Sequence, residues 1–463
     1  MQNGFNSLPR GLPAVVVGLV AVLLVCFFAE IAAGAEEELR FPRPEFEVDY
    51  SFPQVQDPLP RSESAPYLDV VVLVLALLAS GWLGLRRRSR AGLVAVTIFG
   101  LLYFGFWRLG CVCAVGSVQN IAQGLADPSG VVVMWTTLLF FALPLVFALY
   151  TGRSFCAGVC PLGAIQDLVL LRPVRVPSAI DEPLRLLRHL YLSVGILLAA
   201  TATAYLVCIQ DPFIAIFRFG GPVGPVLFGL GLLAIGTVAG RPYCRYLCPY
   251  GVLLGWAARI SRRHVRITPD ECVNCGLCED ACPFGAIHPP VKTKWNESRA
   301  HGVRRLVWLI VLTPLMGLAA GWMGHRLSPG LSWLHQDARL LHELQTTQPG
   351  NQLSAQAQGY VDSGGQPEEL AESVRDRGEQ LAFWGWFAGA FVGLAGAARV
   401  IEISTRHPRD EYWIERSRCL SCGRCFSSCP IEQVRRHGLP GARQPDDVSH
   451  SSAAMPGTKE EMS

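Results

Sequence analysis

Eight apolar stretches alternate with polar segments along the chain, and each approaches the length that crosses a lipid bilayer. A transmembrane helix needs about 20 mainly apolar residues. The stretches are residues 14–32, 67–85, 92–107, 131–150, 190–207, 223–239, 306–324 and 383–400. Because a helix satisfies its own backbone hydrogen bonds, it is the structure that such stretches adopt in lipid. The pattern therefore predicts an all-α polytopic membrane protein with about seven or eight transmembrane helices.

The composition agrees with this pattern. Of the 463 residues, 51% are hydrophobic and only 17% are charged, whereas charged residues make up about a quarter of an ordinary soluble protein. The net charge of +3 is small. The sequence contains no basic stripe with interleaved aromatic residues, so it does not predict nucleic-acid binding.

Basic residues predict the orientation of the chain in the membrane. Arg86-Arg87-Arg88-Ser89-Arg90 follows the second apolar stretch, and another basic segment runs from Arg259 to Arg266. Lys and Arg are enriched in cytoplasmic loops, so we expect both segments on the inner side of a bacterial plasma membrane. Alternating crossings then place residues 36–65 and 325–380 outside the cytoplasm.

Two cysteine runs share the spacing C-x2-C-x2-C-x3-C-P. The first is Cys-Val-Asn-Cys-Gly-Leu-Cys-Glu-Asp-Ala-Cys-Pro at 272–283, and the second lies at 419–430. This spacing is typical of bacterial [4Fe–4S] ferredoxins, whereas a zinc site uses two separated cysteine pairs. We therefore predict two [4Fe–4S] clusters, with the ligands Cys272, Cys275, Cys278, Cys282, Cys419, Cys422, Cys425 and Cys429.

The two runs are expected to pair in space on the cytoplasmic face, because two crossings separate them. In two-cluster ferredoxins the fourth cysteine of each run binds the other cluster. One cluster would then use Cys272, Cys275, Cys278 and Cys429, and the other would use Cys419, Cys422, Cys425 and Cys282. The alternatives are two independent clusters with local ligands, or a single functional cluster.

Two further stretches share the pattern C-x3-C-P-x-G at the predicted cytoplasmic ends of two spans. They contain Cys156 with Cys160, and Cys244 with Cys248. On a helix, positions i and i+4 lie on one face, so each pair would present two thiols in one direction. Four thiols suffice for an additional iron–sulfur cluster or for a redox dithiol–disulfide couple. The alternative is buried, inert cysteine.

A degenerate third copy is predicted on the opposite face of the membrane. Residues 113–119 echo residues 160–166, and the prediction groups Cys111, Cys113 and Cys208 on the outer side. These thiols would hold a cofactor, form a disulfide or serve a structural role. The hydrocarbon core is about 30 Å thick, so electrons that cross it need an intermediate carrier. The candidates are these thiols, a quinone, a haem or a flavin on a partner.

These features divide the chain into seven predicted parts. Ala33-Gly34-Ala35 is like a signal-cleavage site, so residues 1–35 are a signal peptide or an N-terminal anchor helix. Within the outer loop, Trp333 to Leu344 is predicted to be helical. The remaining parts are an external acidic segment (36–65), a transmembrane domain with both C-x3-C-P motifs (66–265), a first ferredoxin half (266–300), a two-helix insertion (303–402) with the outer loop 325–380, a second ferredoxin half (403–437) and a disordered tail (438–463).

The order of these motifs resembles the NosR/NirI and NapH group of membrane-bound polyferredoxins. The resemblance rests on residues 155–163, 211–213 and 241–251 and on the two ferredoxin runs. It implies electron transfer between the quinone pool or cytoplasmic donors and periplasmic reductases, such as nitrous-oxide or nitrate reductase. Two departures stand out, because residues 36–65 are too short for the flavin domain of NosR-like proteins and a two-span insertion separates the ferredoxin runs.

The leading functional hypothesis is therefore an electron-transfer subunit of the membrane. It would be an electron carrier, or a subunit like those of quinol dehydrogenases, that works with a quinone or cytoplasmic donor and with a periplasmic reductase, cytochrome or flavoprotein. One alternative is an assembly factor that supplies electrons to a metalloenzyme. Another is a redox-sensing regulator. A transporter is disfavoured, since the spans lack the intramembrane acidic residues that mark ion paths.

Overall fold

The structure is a computed structural model, and most of the predicted membrane domain and ferredoxin falls within its described part. It describes residues 64–110, 113–171, 173–174, 176–267, 272–290, 298–347, 353–405 and 411–437. The apolar stretch at 14–32, almost all of the acidic segment and the tail after residue 437 lie outside these residues.

The described chain is mostly helical. Many of its helices are short and follow one another closely, so that turns and helix ends lie inside the packed domain. The helices are α1 (Ala65–Leu85), α2 (Arg90–Trp107, with a π-helix at Leu101–Trp107), α3 (Ala114–Ala126), α4 (Trp135–Thr151), α5 (Ser154–Gly158), α6 (Pro161–Leu168), α7 (Ser178–Leu184), α8 (Leu187–Ala200), α9 (Leu206–Ile209), α10 (Ile214–Phe217), α11 (Val223–Gly236), α12 (Tyr250–Arg259), α13 (Leu277–Asp280), α14 (Arg299–Leu327), α15 (Gln336–Thr346), α16 (Ala355–Asp362), α17 (Pro367–Ser404), α18 (Arg424–Ser428) and α19 (Pro430–His437).

Five helical segments in the described residues are long and apolar enough to cross a membrane. They are Ala65–Leu85, Arg90–Trp107, Ser178–Ala200, Ala300–Leu334 and Pro367–Ser404. The helices α4 and α11 are apolar but shorter. The prediction of a membrane protein built from apolar helices is confirmed at this level.

The helix in the predicted span 190–207 ends earlier than the sequence predicts. The helix stops at Ala200, and Ala202 adopts a left-handed backbone with φ 50°, which a non-glycine residue rarely does inside a helix. Thr201 Oγ1 caps the end by bonding to the carbonyl oxygen of Leu197 at 2.9 Å. The chain therefore leaves the helix early and forms the short helix α9.

The core of the membrane domain surrounds the short helices that carry the C-x3-C-P motifs. Helix α1 packs against α2, α4 and α5, and α3 packs against α4 and α8. Fully or almost fully buried side chains line the interior, among them Leu77, Val159, Leu198, Phe213 and Tyr250. Both motifs therefore lie inside the protein, and neither is confined to a surface loop.

The insertion forms a long helical hairpin that belongs to the membrane domain. Helices α14 and α17 pack along each other, and α17 also packs on α8. A Cβ added at Gly389 or Gly393 would collide with a main-chain carbonyl of α14, so glycine permits this close approach. The helix predicted at 333–344 is present as α15. It begins three residues later than predicted, because the His335 side chain accepts a hydrogen bond from Asp337 N and caps the helix.

The two ferredoxin halves meet in a short antiparallel sheet. Strand β1 (Ile287–His288) pairs with β2 (Trp413–Ile414), with Ile287 opposite Ile414. Helices α13 and α18, one from each half, also pack together. The prediction that the halves pair in space is confirmed.

Candidate metal centres

The two ferredoxin runs adopt the same backbone conformation around their second cysteine. Asn274 and Gly276 are left-handed, with φ values of 51° and 79°, and the equivalent Ser421 and Gly423 have φ values of 55° and 74°. Alternating left-handed residues turn successive N–H groups toward one side, which favours an anion. In the second run, Ser421 N donates to Cys419 Sγ at 3.4 Å.

The eight cysteines of the runs line two neighbouring pockets in an exchanged arrangement. The first pocket is lined by Cys272, Cys275, Cys278 and Cys429, and the second by Cys282, Cys419 and Cys422, with Cys425 in the wall of both. Each pocket thus combines cysteines of one run with the fourth cysteine of the other. This is the grouping expected for ligand exchange.

The chemistry of these pockets suits iron–sulfur clusters. Burial raises the pKa of Cys278 to about 11 and that of Cys419 to about 12, so the thiolates require a cation to be stable. Within the described ranges, no group of three or more His, Cys, Asp or Glu side chains is arranged for a single metal ion. A cubane cluster carries its irons at four corners, so its thiolates stand further apart than the ligands of one ion.

The C-x3-C-P cysteines converge inside the membrane domain. All four, Cys156, Cys160, Cys244 and Cys248, are buried. The two motifs meet directly, since Gln166 Nε2, just after the first, lies 3.4 Å from Cys244 Sγ of the second. We call these four cysteines the four-thiol site. The expected i, i+4 arrangement on one helix is wrong, because α5 ends before Cys160 and a π-helix spans Tyr243–Leu247. The proline that follows the second cysteine of each motif changes the direction of the chain.

The two motifs are longer than the sequence interpretation recognised, and they pack as reciprocal copies. Each reads Arg-x2-Cys-x3-Cys-Pro-x-Gly, with Arg153 in the first and Arg241 in the second. A Cβ added at Gly163 would lie 2.9 Å from Arg241 Nη1, and one at Gly251 would lie 3.2 Å from Arg153 Nη2. Each arginine therefore occupies a slot that the glycine of the other copy leaves open.

These arginines place positive charge beside the four thiols. Arg241 is completely buried and Arg153 is 3% exposed. Arg241 Nη1 donates to the carbonyl oxygen of Cys156, and Arg153 Nη2 lies 3.8 Å from Cys156 Sγ. Buried cations require anionic partners, and the four-thiol site lies next to both guanidinium groups.

A buried ion-pair network connects the four-thiol site to the second ferredoxin pocket. The Asp167 carboxylate lies 3.5 Å from Arg241 Nε and accepts from Arg90 Nη2 at 2.7 Å. Arg90 Nη1 in turn donates to the carbonyl oxygen of Cys422 at 3.0 Å. Three charged side chains therefore span the gap between Cys156 and Cys422.

A second network fixes the first ferredoxin run to the same helices. Asp181 accepts from Arg185 and from Arg245, each at 2.8 Å. Arg245 Nη1 donates to the carbonyl oxygen of Pro283, and Arg185 Nη2 to that of Phe284, both at 2.9 Å. The Cys-Pro turn of the ferredoxin is thus held directly on the C-x3-C-P region. Sequence reasoning missed Asp167 and Asp181, because Arg241 and Arg245, which pair with them, are distant in the chain.

A cavity of about 400 Å³ opens at the other end of the domain. We call it the distal cavity; its walls include Asp69, Arg108, Cys113, Cys208 and Asp211. It lies at the start of α1, whereas Gly84 near the end of α1 contacts the ferredoxin at the carbonyl of Ser421. Since α1 has 21 residues, about 30 Å separates these ends. Burial raises the pKa of Asp211 to about 6.

Cys113 lines two cavities. It shares the distal cavity with Cys208, as the prediction grouped them, and a small apolar cavity with Cys160. The chain turns inward after α2 because Leu109 and Gly110 adopt left-handed conformations, and α3 then starts inside the protein. Cys111 lies outside the described residues.

Comparison with protein-family models identifies two kinds of 4Fe–4S binding domain. One matches residues 133–177 and 221–268, which contain both C-x3-C-P motifs, and the other matches residues 265–288. The iron–sulfur character of the chain therefore has support beyond the ferredoxin runs.

Three curated relatives each match nearly half of the chain. NosR of Pseudomonas aeruginosa, named a regulatory protein, is 32% identical over 46% of this chain and 32% of its own length. The protein NirI of Paracoccus denitrificans is 29% identical over 49% of this chain and 36% of its own length. The ferredoxin-type protein NapH of Haemophilus influenzae is 27% identical over 48% of this chain and 81% of its own length. The chain thus spans about a third of NosR and NirI. No solved structure matches.

Proposed function

We propose that this chain, a membrane iron–sulfur electron-transfer protein of the NosR, NirI and NapH type, relays single electrons between the ferredoxin and the distal cavity through the four-thiol site. The proposal rests on one observation: the ferredoxin adjoins the four-thiol site, which in turn adjoins the distal cavity. The network of Arg90, Asp167 and Arg241 joins Cys422 to Cys156. On the other side, one small cavity joins Cys160 to Cys113.

The ferredoxin would hold two [4Fe–4S] clusters, one between Cys272, Cys275, Cys278 and Cys429 and one between Cys419, Cys422, Cys425 and Cys282. When bound, such clusters supply reversible one-electron redox chemistry. The exchanged cysteine grouping and the repeated left-handed turns support this assignment. The protein provides the thiolates, the N–H groups around them and an apolar wall that limits the access of water.

The four-thiol site would hold a further iron–sulfur cluster. Support comes from the convergence of four buried thiols and from two buried guanidinium groups beside them. The 4Fe–4S family match that covers both motifs agrees with it. A cluster here divides a membrane crossing of about 30 Å into shorter steps. Arg241 lies between this site and the second ferredoxin pocket, where it lowers the electrostatic cost of a negative charge on either side.

The donor and acceptor follow from the expected topology. With arginines after α1 and α12 in the cytoplasm of a bacterium, the ferredoxin would face the cytoplasm and the distal cavity the periplasm. The polar distal cavity between membrane helices is the candidate contact for a quinone, and a periplasmic reductase, cytochrome or flavoprotein would be the partner there. The name of the relative NapH, a ferredoxin-type protein, supports a partner in an electron-transfer system.

Iron and sulfide analysis with low-temperature EPR tests this assignment. Purified wild-type protein is compared with a Cys160→Ala/Cys248→Ala variant. We expect about twelve irons in wild type and about eight in the variant. About eight irons in both proteins would contradict a cluster at the four-thiol site. Fewer than about four in wild type would contradict the paired ferredoxin itself.

A redox-sensing regulator is the second candidate function, because the relative NosR carries the name of a regulatory protein. A relay turns over with a reduced quinol or a reduced cytoplasmic carrier, whereas a sensor changes its oxidation state once and stops. Multiple turnovers in membrane vesicles would favour the relay. A single stoichiometric oxidation would favour the sensor.

A further inference from the structure

The distal cavity contains two cysteines that are held against the same helical turn. Cys113 is the N-cap of α3, directly before the first helical turn that contains Gly116. The sulfur of Cys208 lies against Gly116, since a Cβ added there would be 3.1 Å from Cys208 Sγ. Glycine at this position therefore makes room for the second thiol.

A glutamine fixes Cys208 at this turn in the same way as in the four-thiol site. Gln119 is completely buried, and its Oε1 accepts from Cys208 N at 3.2 Å. Gln166 follows Cys160 at the same spacing, and it accepts from Tyr243 N at 3.0 Å and lies 3.4 Å from Cys244 Sγ. We call residues 113–119 the distal turn. Like residues 160–166, it positions a cysteine from a distant segment of the chain.

The two copies differ in the groups that face the thiols. At the four-thiol site, the glycine slots hold guanidinium groups; at the distal turn, the slot holds the Cys208 sulfur. Leu109 stands where the motif has Cys156, and Asp211 lies in the cavity wall. The cavity wall carries Arg108 and Arg218 as well as Asp69 and Asp211. Among the described residues the distal turn presents two thiols, which suffice for thiol–disulfide chemistry and are too few for a cubane cluster.

We propose that Cys113 and Cys208 form a redox-active dithiol that reduces a disulfide presented at the distal cavity. Cys208 is exposed, whereas Cys113 is only partly accessible, so Cys208 attacks and Cys113 resolves. The Cys208 thiolate attacks one sulfur of the substrate disulfide, that S–S bond breaks, and the leaving sulfur takes a proton. Cys113 loses its proton and attacks Cys208, which releases the second substrate thiol and leaves a Cys113–Cys208 disulfide.

Regeneration of the dithiol rests on the proposed relay. Two electrons arrive one at a time from the iron–sulfur sites, and two protons come from water in the cavity beside Asp211. The Cys113–Cys208 bond breaks and two S–H bonds form, so atoms and charge balance. The shared cavity of Cys160 and Cys113 is the route for these electrons. The dithiol would thus convert one-electron steps into a two-electron reduction.

Oxidised glutathione is the probe for the dithiol itself. Full-length purified protein is treated with it without oxygen, alkylated and digested, and the peptides are identified by mass spectrometry. We expect a Cys113–Cys208 link in wild type and a glutathione adduct on Cys208 in Cys113→Ser. In Cys208→Ser, the adduct on Cys113 should be at least about tenfold less abundant, because this thiol is shielded.

The wild-type result decides the proposal without relying on any variant. Absence of the linked peptide would overturn the dithiol, and equal labelling of Cys113 in Cys208→Ser would overturn the assigned roles. Iron content is measured in the same samples and should be unchanged.

Coupling to the relay is tested separately. The linked wild-type protein and a linked Cys160→Ala/Cys248→Ala variant both receive electrons from a chemically reduced soluble ferredoxin. We expect the disulfide to reopen at least about tenfold faster in wild type. Equal rates would overturn the coupling of the dithiol to the four-thiol site. Link formation and iron content report independently on the dithiol and on the iron–sulfur function, so failure of one is distinguishable from failure of the other.

Discussion

The four-thiol site and the distal turn share the same local arrangement, yet different groups fill the space beside their glycines. In both, a helix starts just after a cysteine, a glycine opens a slot in its first turn, and a glutamine fixes a partner segment. The slot of Gly163 holds the guanidinium of Arg241, whereas that of Gly116 holds the sulfur of Cys208. The neighbours of the thiols, rather than the backbone around them, therefore distinguish a site for an anionic cluster from a site for a dithiol.

Serine substitution of one cysteine in each site gives the largest expected contrast. Cys248→Ser should remove about four irons per protein, because a cubane loses stability with a ligand missing. Cys208→Ser should leave the iron content unchanged. Iron analysis of both purified variants measures the difference. Iron loss in Cys208→Ser would remove the distinction between the sites.

Removal of the buried guanidinium should produce the next largest effect. Arg241→Leu leaves Asp167 without one of its cations, and breaking a buried ion pair costs about 3–5 kcal/mol. Arg241→Lys should cost less, because it keeps the charge. Thermal unfolding of the purified proteins gives the comparison. Equal unfolding temperatures for Arg241→Leu and wild type would show that the network contributes no stability.

Substitution of Gly163 and Gly116 by alanine should distinguish the two sites with a smaller loss of stability. Gly163→Ala presses on Arg241 Nη1, which would lie 2.9 Å from the new Cβ, and overpacking costs about 1–3 kcal/mol. Gly116→Ala displaces the Cys208 sulfur instead. It should reduce the yield of the Cys113–Cys208 link severalfold while the iron content stays constant. A fall in iron for Gly116→Ala, with the link preserved, would reverse this expectation.

Substitution of Asp211 in the distal cavity should give the smallest effect. Burial raises the pKa of Asp211 from 3.8 to about 6, so the folded protein binds a proton that the unfolded chain releases between these values. Stability therefore falls as the pH rises from about 4 to about 6 and is constant above. Each pKa unit represents about 1.4 kcal/mol. Asp211→Asn should flatten this part of the stability curve, which unfolding temperatures at several pH values would detect.

Sequence spacing was sufficient for the ferredoxin because its ligands and turns are local. The C-x2-C-x2-C-x3-C-P spacing predicts the exchanged grouping of the cysteines, and the meeting of the two halves follows from counting the crossings. The apolar stretches likewise predict the long helices, since hydrophobicity over about 20 residues decides this outcome.

The membrane site was less predictable because long-range contacts decide its geometry. Asp167 pairs with Arg241, far along the chain, and Asp167 has no local signature beyond its charge. The inward turn at Leu109 and the π-helix at Tyr243–Leu247 depend on packing around them. One local signal was available, since an arginine precedes the first cysteine of both C-x3-C-P motifs at the same spacing.

The strand pair between Ile287 and Ile414 has a consequence for biogenesis. A ribosome completes the first half of the ferredoxin long before the second, and the hairpin of α14 and α17 is made in between. The eight cysteines can assemble only after the translocon has released α17 into the membrane. Closing so long a loop slows assembly. Cofactor loading is therefore expected as the last maturation step, after the whole membrane domain has been inserted.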